Sequence, residues 1–81
     1  MGERTDMILE EFKRDIAPKM EHGYVAMDKC GRYCWFSLKP TAIEDDGLWY
    51  LQYFGQWHEL QFDIDPVSDW KESCFEVGES V

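Results

Sequence analysis

Basic residues are nearly missing from the second half of this chain. Residues 41–81 hold ten Asp and Glu but a single base, Lys71, whereas residues 1–40 balance seven acids against seven bases. The whole of the net charge of −9 therefore lies in the second half. Phosphate backbones and anionic lipid surfaces are held by Lys and Arg, so this deficit argues against nucleic acid or a membrane as a direct partner. It favours solubility, or a basic protein partner.

Other absences narrow the reading further. No apolar run approaches the ~20 residues of a membrane-spanning helix. The opening MGERTDMILEEFKRD mixes acids and bases where an export signal would place bases and then an apolar stretch. The three cysteines include no C-x₂-C pair, and their odd number leaves one unpaired. Reduced thiols and a cytoplasmic location are the expectation. Gly31, Gly47 and Gly55 are isolated and read as turn residues, so there is no phosphate cradle and no cofactor is expected. With no linker and no low-complexity tract, residues 1–81 read as one domain.

What the chain has is aromatic and apolar residues, 16% and 44% of the total, enough for a core despite the charge. Ile8, Phe12, Ile16 and Met20 recur every four residues and predict a helix over about 5–17, capped by Thr5 or Asp6 and closed by Pro18. The stretch LWYLQYFGQWHELQFDI at 48–64 reads as two strands around Gly55-Gln56, a Gly-X pair suited to a two-residue hairpin. CGRY at 30–33 repeats the device around Gly31-Arg32. These turns predict strands at about 24–30, 33–39, 48–54 and 57–64. KPTAIEDDG at 39–47 reads as a loop with Asp46-Gly47 as its turn signal, and 68–77 as a short helix or irregular segment.

The fold class expected is α+β: an N-terminal helix packed on a four-stranded antiparallel sheet made of two hairpins, with the short C-terminal element closing an end. Ile8, Phe12, Ile16, Met27, Phe36, Leu51, Leu60 and Phe62 form the expected core. Alternation along 48–64 places Trp49, Leu51, His58 and Leu60 on the core face, and Leu48, Tyr50, Phe54, Trp57, Glu59 and Asp63 on the other. The same pairing rule puts Tyr24, Tyr33 and Trp35 on that outer face. One helix covers only one face of a sheet, so the outer aromatics read as an interface.

Three chemical readings compete with the interface. Cys30, Cys34, Cys74 and His58 have the donor types of a zinc site, but Cys30 and Cys34 flank a tight turn and point to opposite faces. No metal is therefore expected. Cys34 or Cys74 with His58 would be a nucleophile and base, and Asp63 with Asp65 a carboxylate pair. A histidine packed on a tyrosine at a hairpin end, and solvated carboxylates, are the simpler accounts. The function expected is a small acidic, non-catalytic protein-binding module, with Tyr33, Trp35, Tyr50, Trp57, Glu59, Asp63 and Asp65 as partner-binding residues. A sharper form is an inhibitor of a basic or nucleic-acid-binding protein, in the style of phage-encoded inhibitors that set carboxylates where phosphates would lie. Carboxylates at i and i+2 of a strand are about 6.7 Å apart, sparser than the duplex charge of one per roughly 1.7 Å. The alternatives are a homodimeric structural protein and a small Cys/His or carboxylate enzyme.

Overall fold

A computed structural model describes residues 7–52, 54–60 and 64–78. Helix α1 (Leu9–Asp15) starts from Ile8, whose backbone is extended and whose carbonyl accepts from the amides of Glu11 and Phe12. Glu10 and Glu11 in the first turn and Lys13 and Arg14 in the last complement the helix dipole. A 3-10 turn, Ala17–Lys19, follows and contains Pro18. Phe12 is fully buried, but Ile8 is 51% exposed, which corrects its assignment to the core. The physical reason lies just upstream. Met7 forms a parallel bridge with Ile64, and its carbonyl accepts from the Asp65 amide at 2.8 Å. The chain is thus still extended at Met7 and Ile8, and the buried stripe shifts to Met7, Leu9, Phe12 and Ile16. The expected caps, Thr5 and Asp6, lie outside the described residues.

The architecture is α+β, with the N-terminal helix, a four-stranded antiparallel sheet and an irregular C-terminal element. Strands β1 (Gly23–Met27) and β2 (Tyr33–Phe36) form the first hairpin. β3 (Thr41–Ile43) and β4 (Leu48–Tyr50) form a second, which stands apart as a two-stranded ribbon. β5 (Trp57–Glu59) and, after a 3-10 turn at Trp70–Glu72, β6 (Phe75–Val77) complete the main sheet in the order β5-β2-β1-β6.

Two pairings differ from the sequence reading. In the first hairpin Met27 faces Tyr33, Val25 faces Trp35 and Tyr24 faces Phe36, three residues out of the expected register. The turn is a three-residue loop, Lys29-Cys30-Gly31. Asp28 and Arg32 close it, and Gly31 stands at φ +96° after a tight turn in which its amide donates to the Asp28 carbonyl. Glycine is needed there as the third loop residue, where the loop bulges, not as the first residue of a two-residue turn. An odd shift exchanges the faces of β2.

The second correction concerns residues 48–64. Strand β4 turns back onto β3 through Glu44–Gly47, while β5 joins the edge of β2. Gly55 does not adopt positive φ, so it is not the first residue of a type II′ turn. Its missing side chain serves close approach instead. A Cβ there would lie 2.8 Å from Leu51 Cδ1 and 3.0 Å from Ser37 Oγ. Ser37 holds the passing chain by accepting from the Gln56 amide through its hydroxyl and donating its own amide to the Gln56 carbonyl, both at 2.8 Å.

Both faces of the main sheet are consequently covered. Val25, Met27, Tyr33, Trp35 and Val77 pack against Phe12, Ala17, Leu60 and Ile64 on the helix side. Ala26, Cys34 and Phe36 pack under Trp49, Leu51 and Cys74 on the ribbon side. Burial of each large apolar side chain contributes about 1.5–3 kcal/mol. Of the expected core, Phe12, Met27, Phe36 and Leu60 are buried, Ile16 and Leu51 are half-buried, and Phe62 lies outside the described residues.

Candidate functional site

The ribbon covers its face of the sheet incompletely. Between β4 and the β2–β5 edge lies a groove of about 520 Å³. Its floor is Cys34 and Phe36 of β2, both buried. Trp49 and Leu51 form one wall, and Gly55 lets the chain pass close behind. Leu48, Tyr50, Phe54 and Trp57 make the rim, and all four are exposed, Phe54 at 99% and Trp57 at 62%. The volume suits a bound side chain or small ligand, and an apolar lining with few polar groups is what such sites share.

The polar end is built by Asp28 and Arg32. Asp28 is buried at the end of β1, and its Oδ1 accepts from the Trp49 amide at 3.0 Å. The Trp49 indole in turn donates to the Met27 carbonyl at 2.9 Å. These two bonds fasten the ribbon to the sheet. Burial pushes the Asp28 carboxyl above the ordinary carboxylate range. The Trp49 amide and the Arg32 charge oppose that shift, and Glu59 adds to it. Arg32 also lies 3.6 Å from the Glu59 carboxylate on β5. That pair is solvent-exposed and contributes little to stability.

Asp28 therefore carries a pH dependence of known sign. A carboxyl whose folded pKa is raised contributes stability that is present below its ordinary value near 3.8 and is lost as pH rises through the folded value. Asp28→Asn keeps an acceptor for the Trp49 amide without the buried charge. It should equal the wild type at pH 3, and at pH 7 be as stable or more so. Asp28→Ala leaves that amide without its acceptor and should cost about 1–3 kcal/mol. Denaturant titrations at the two pH values measure both effects. Greater loss in the asparagine variant at pH 7 would contradict them.

The structure separates the expected partner-binding residues. Tyr50 and Trp57 meet at the groove, and Glu59 stands on the same side of β5. Tyr33 and Trp35, expected on the outer face, are buried on the helix side. Their polar atoms are satisfied there, with the Tyr33 hydroxyl donating to the Asp65 carbonyl at 3.0 Å and the Trp35 indole to the Glu21 carbonyl at 3.1 Å. Asp65 is half-buried, and its backbone joins Met7 and Tyr33 on the helix side, away from the groove. Asp63 lies outside the described residues. Asp28, Arg32, Trp49 and Leu51 were not among the expected site residues. Leu48 and Phe54, expected on the outer face, are exposed at the groove rim.

The nucleophile and base candidates are not assembled. His58 pairs with Trp35 and stacks on its ring at 5.1 Å on the helix side, while Cys34 and Cys74 belong to the ribbon side. Burial, with Asp28 and Glu59 nearby, pushes the Cys34 thiol up to about 11, and burial also raises Cys74. A protonated, covered thiol is a poor nucleophile. Cys30 alone of the three is exposed. Brief alkylation of the native protein should therefore modify Cys30 first, and all three cysteines only after unfolding. Rapid alkylation of Cys34, read by peptide mapping, would contradict this.

Among the described residues no three His, Cys, Asp or Glu side chains are grouped to hold a metal ion. Nor is any described helix long and apolar enough to cross a membrane. Compared with known protein families, curated proteins and solved structures, the chain matches none of them.

Proposed function

We propose that this protein is a small, non-catalytic protein-binding module whose groove receives an apolar side chain of a basic protein partner. The observation that carries this reading is the rim of Leu48, Tyr50, Phe54 and Trp57, four large apolar side chains exposed around one concavity. Aromatic anchors beside a pocket are the usual centre of binding energy at protein interfaces. The charge supports a basic partner, since residues 41–81 carry ten acids and one base. Nucleic-acid-binding proteins are one source of such surfaces. Self-association is disfavoured by the same charge, because it would bring two acidic halves together.

The test is affinity capture from cells with the wild-type chain, run beside Trp57→Ala, Phe54→Ala and His58→Gln. Proteins retained by the wild type should be lost from the first two, with affinity falling about 30-fold or more for a side chain worth ~2 kcal/mol. His58→Gln should retain them, because His58 lies on the other face of the sheet. Dependence on His58 with indifference to Trp57 would reject the groove. A dimer by sizing chromatography that Trp57→Ala dissolves would turn the reading to self-association.

A further inference from the structure

The groove adjoins a sheet edge, and the two together specify more than a pocket. Among the described residues, no strand pairs with β5 on the side away from β2. The direction of its backbone groups follows from the ladder. The Leu60 amide donates to the Tyr33 carbonyl, and the Ser37 amide donates to the Gln56 carbonyl. Alternation makes Trp35 and His58 the hydrogen-bonded pair between them. His58 thus turns its backbone groups to β2. Trp57 and Glu59 turn theirs outward, and the side chains of these same two residues stand on the groove side with Cys34 and Phe36.

The opposite edge lacks this combination. On β6 the ladder to β1 uses Phe75 and Val77, which leaves Glu76 as the outward residue. Its side chain is held by His22 at 2.7 Å. β5 offers two outward residues with an open apolar groove beside them.

We propose that the partner binds as an extended segment that adds a strand to β5, with an apolar side chain in the groove beside Trp57 and a basic side chain two positions away beside Glu59. This rests on the protein-binding reading of the groove. The spacing follows from the pleat, since side chains on one face of a strand recur every second residue, as Trp57 and Glu59 do. The basic position follows from charge. Glu59 stands opposite Cys34 on the groove side of β5, and Asp28 lies at the end of the groove. Beyond Leu48 a second depression of about 360 Å³ is lined by Glu44, Asp45 and Asp46. Lys29 and Arg32 line these two concavities and Lys71 pairs with Glu44 from outside, so the carboxylates of Asp28, Asp45, Asp46 and Glu59 remain in excess. The exposed Arg32–Glu59 contact is weak enough for an incoming Lys or Arg to share the carboxylate.

The probe is a displayed library of random octapeptides selected on the full chain, followed by fluorescence polarisation with the enriched sequences as synthetic peptides. Enriched sequences should carry an apolar and a basic residue two positions apart. N-methylation of alternate backbone amides, on the register that faces β5, should weaken binding at least tenfold, while methylation of the other register should not. Glu59→Gln should weaken basic peptides several-fold and flatten their salt dependence. In hydrogen exchange the amides of Trp57 and Glu59 should gain protection on binding, and that of His58 should not change. Peptides that bind with Trp57 dependence but tolerate both methylation registers would overturn strand addition and leave the groove reading standing. So would an empty selection alongside a protein captured through Trp57. An empty selection with no Trp57-dependent capture would overturn both.

Discussion

Trp35→Ala should bring the protein close to unfolding. Trp35 is 3% exposed in the helix-side core, with Phe12, Val25 and Leu60 among its cluster. Its ring lies so close over Gly23 that a Cβ there would come within 2.6 Å of the indole nitrogen. Truncating a buried tryptophan costs about 3–5 kcal/mol in lost transfer energy and cavity. A domain of this size has only about 5–15 kcal/mol in total. Trp35→Phe should cost much less, because the freed Glu21 carbonyl belongs to an exposed residue and is free to turn to water. Urea titration of the three proteins measures the difference. A cost below 1 kcal/mol for the alanine variant would return Trp35 to an outer face, where a two-residue turn at Gly31-Arg32 would place it.

That reversal shows what was legible in the sequence and what was not. The elements that rest on side-chain pattern alone are found: a helix centred on Phe12, strands near 24 and 33, and the alternation in β4 of exposed Leu48 and Tyr50 with half-buried Trp49. That alternation holds whichever strand β4 pairs with, because alternation is a property of one strand and not of its neighbours. The core face expected to join Trp49 and Leu51 to His58 and Leu60 is instead divided, the first two packing on the ribbon side and the other two on the helix side. What failed depended on turn length. Gly31 fits either a two-residue or a three-residue loop by composition, and the choice between them flips every side chain of β2. Likewise Gly55 carries the residue type of a turn but is used for close packing against Leu51 and Ser37. Thr41-Ala42-Ile43, read as part of a loop, had a visible strand signal in its β-branched residues and in the EDDG turn before Leu48. Asp28 gave no signal at all, because its importance comes from the Trp49 amide twenty-one residues away.

Trp49→Ala should dismantle the groove while leaving most of the main sheet folded. Trp49 is where the ribbon meets the sheet. Its amide bonds to Asp28, its indole to the Met27 carbonyl, and its ring meets Trp70 edge-on at 6.2 Å. The ring also covers the Ala26, Cys34 and Phe36 cluster. Because Trp49 is half-buried, the cost should fall near the lower end of the range for a large aromatic, about 3 kcal/mol. The loss should be local. Amides of β3 and β4 should exchange rapidly, while those of β1 and β2 keep their protection, since their core on the helix side does not include Trp49. Trp49→Phe separates the ring from the hydrogen bond. The Ser73 hydroxyl lies 3.2 Å from the Met27 carbonyl but shares its single proton with the closer Trp70 carbonyl at 2.7 Å, so losing the indole should cost about 1–2 kcal/mol, less than losing the ring as well. The phenylalanine variant should therefore retain the ribbon and any partner bound through Trp57, and the alanine variant should lose both. Equal protection of β3 and β4 in the alanine variant would mean that the ribbon is held by something other than this ring.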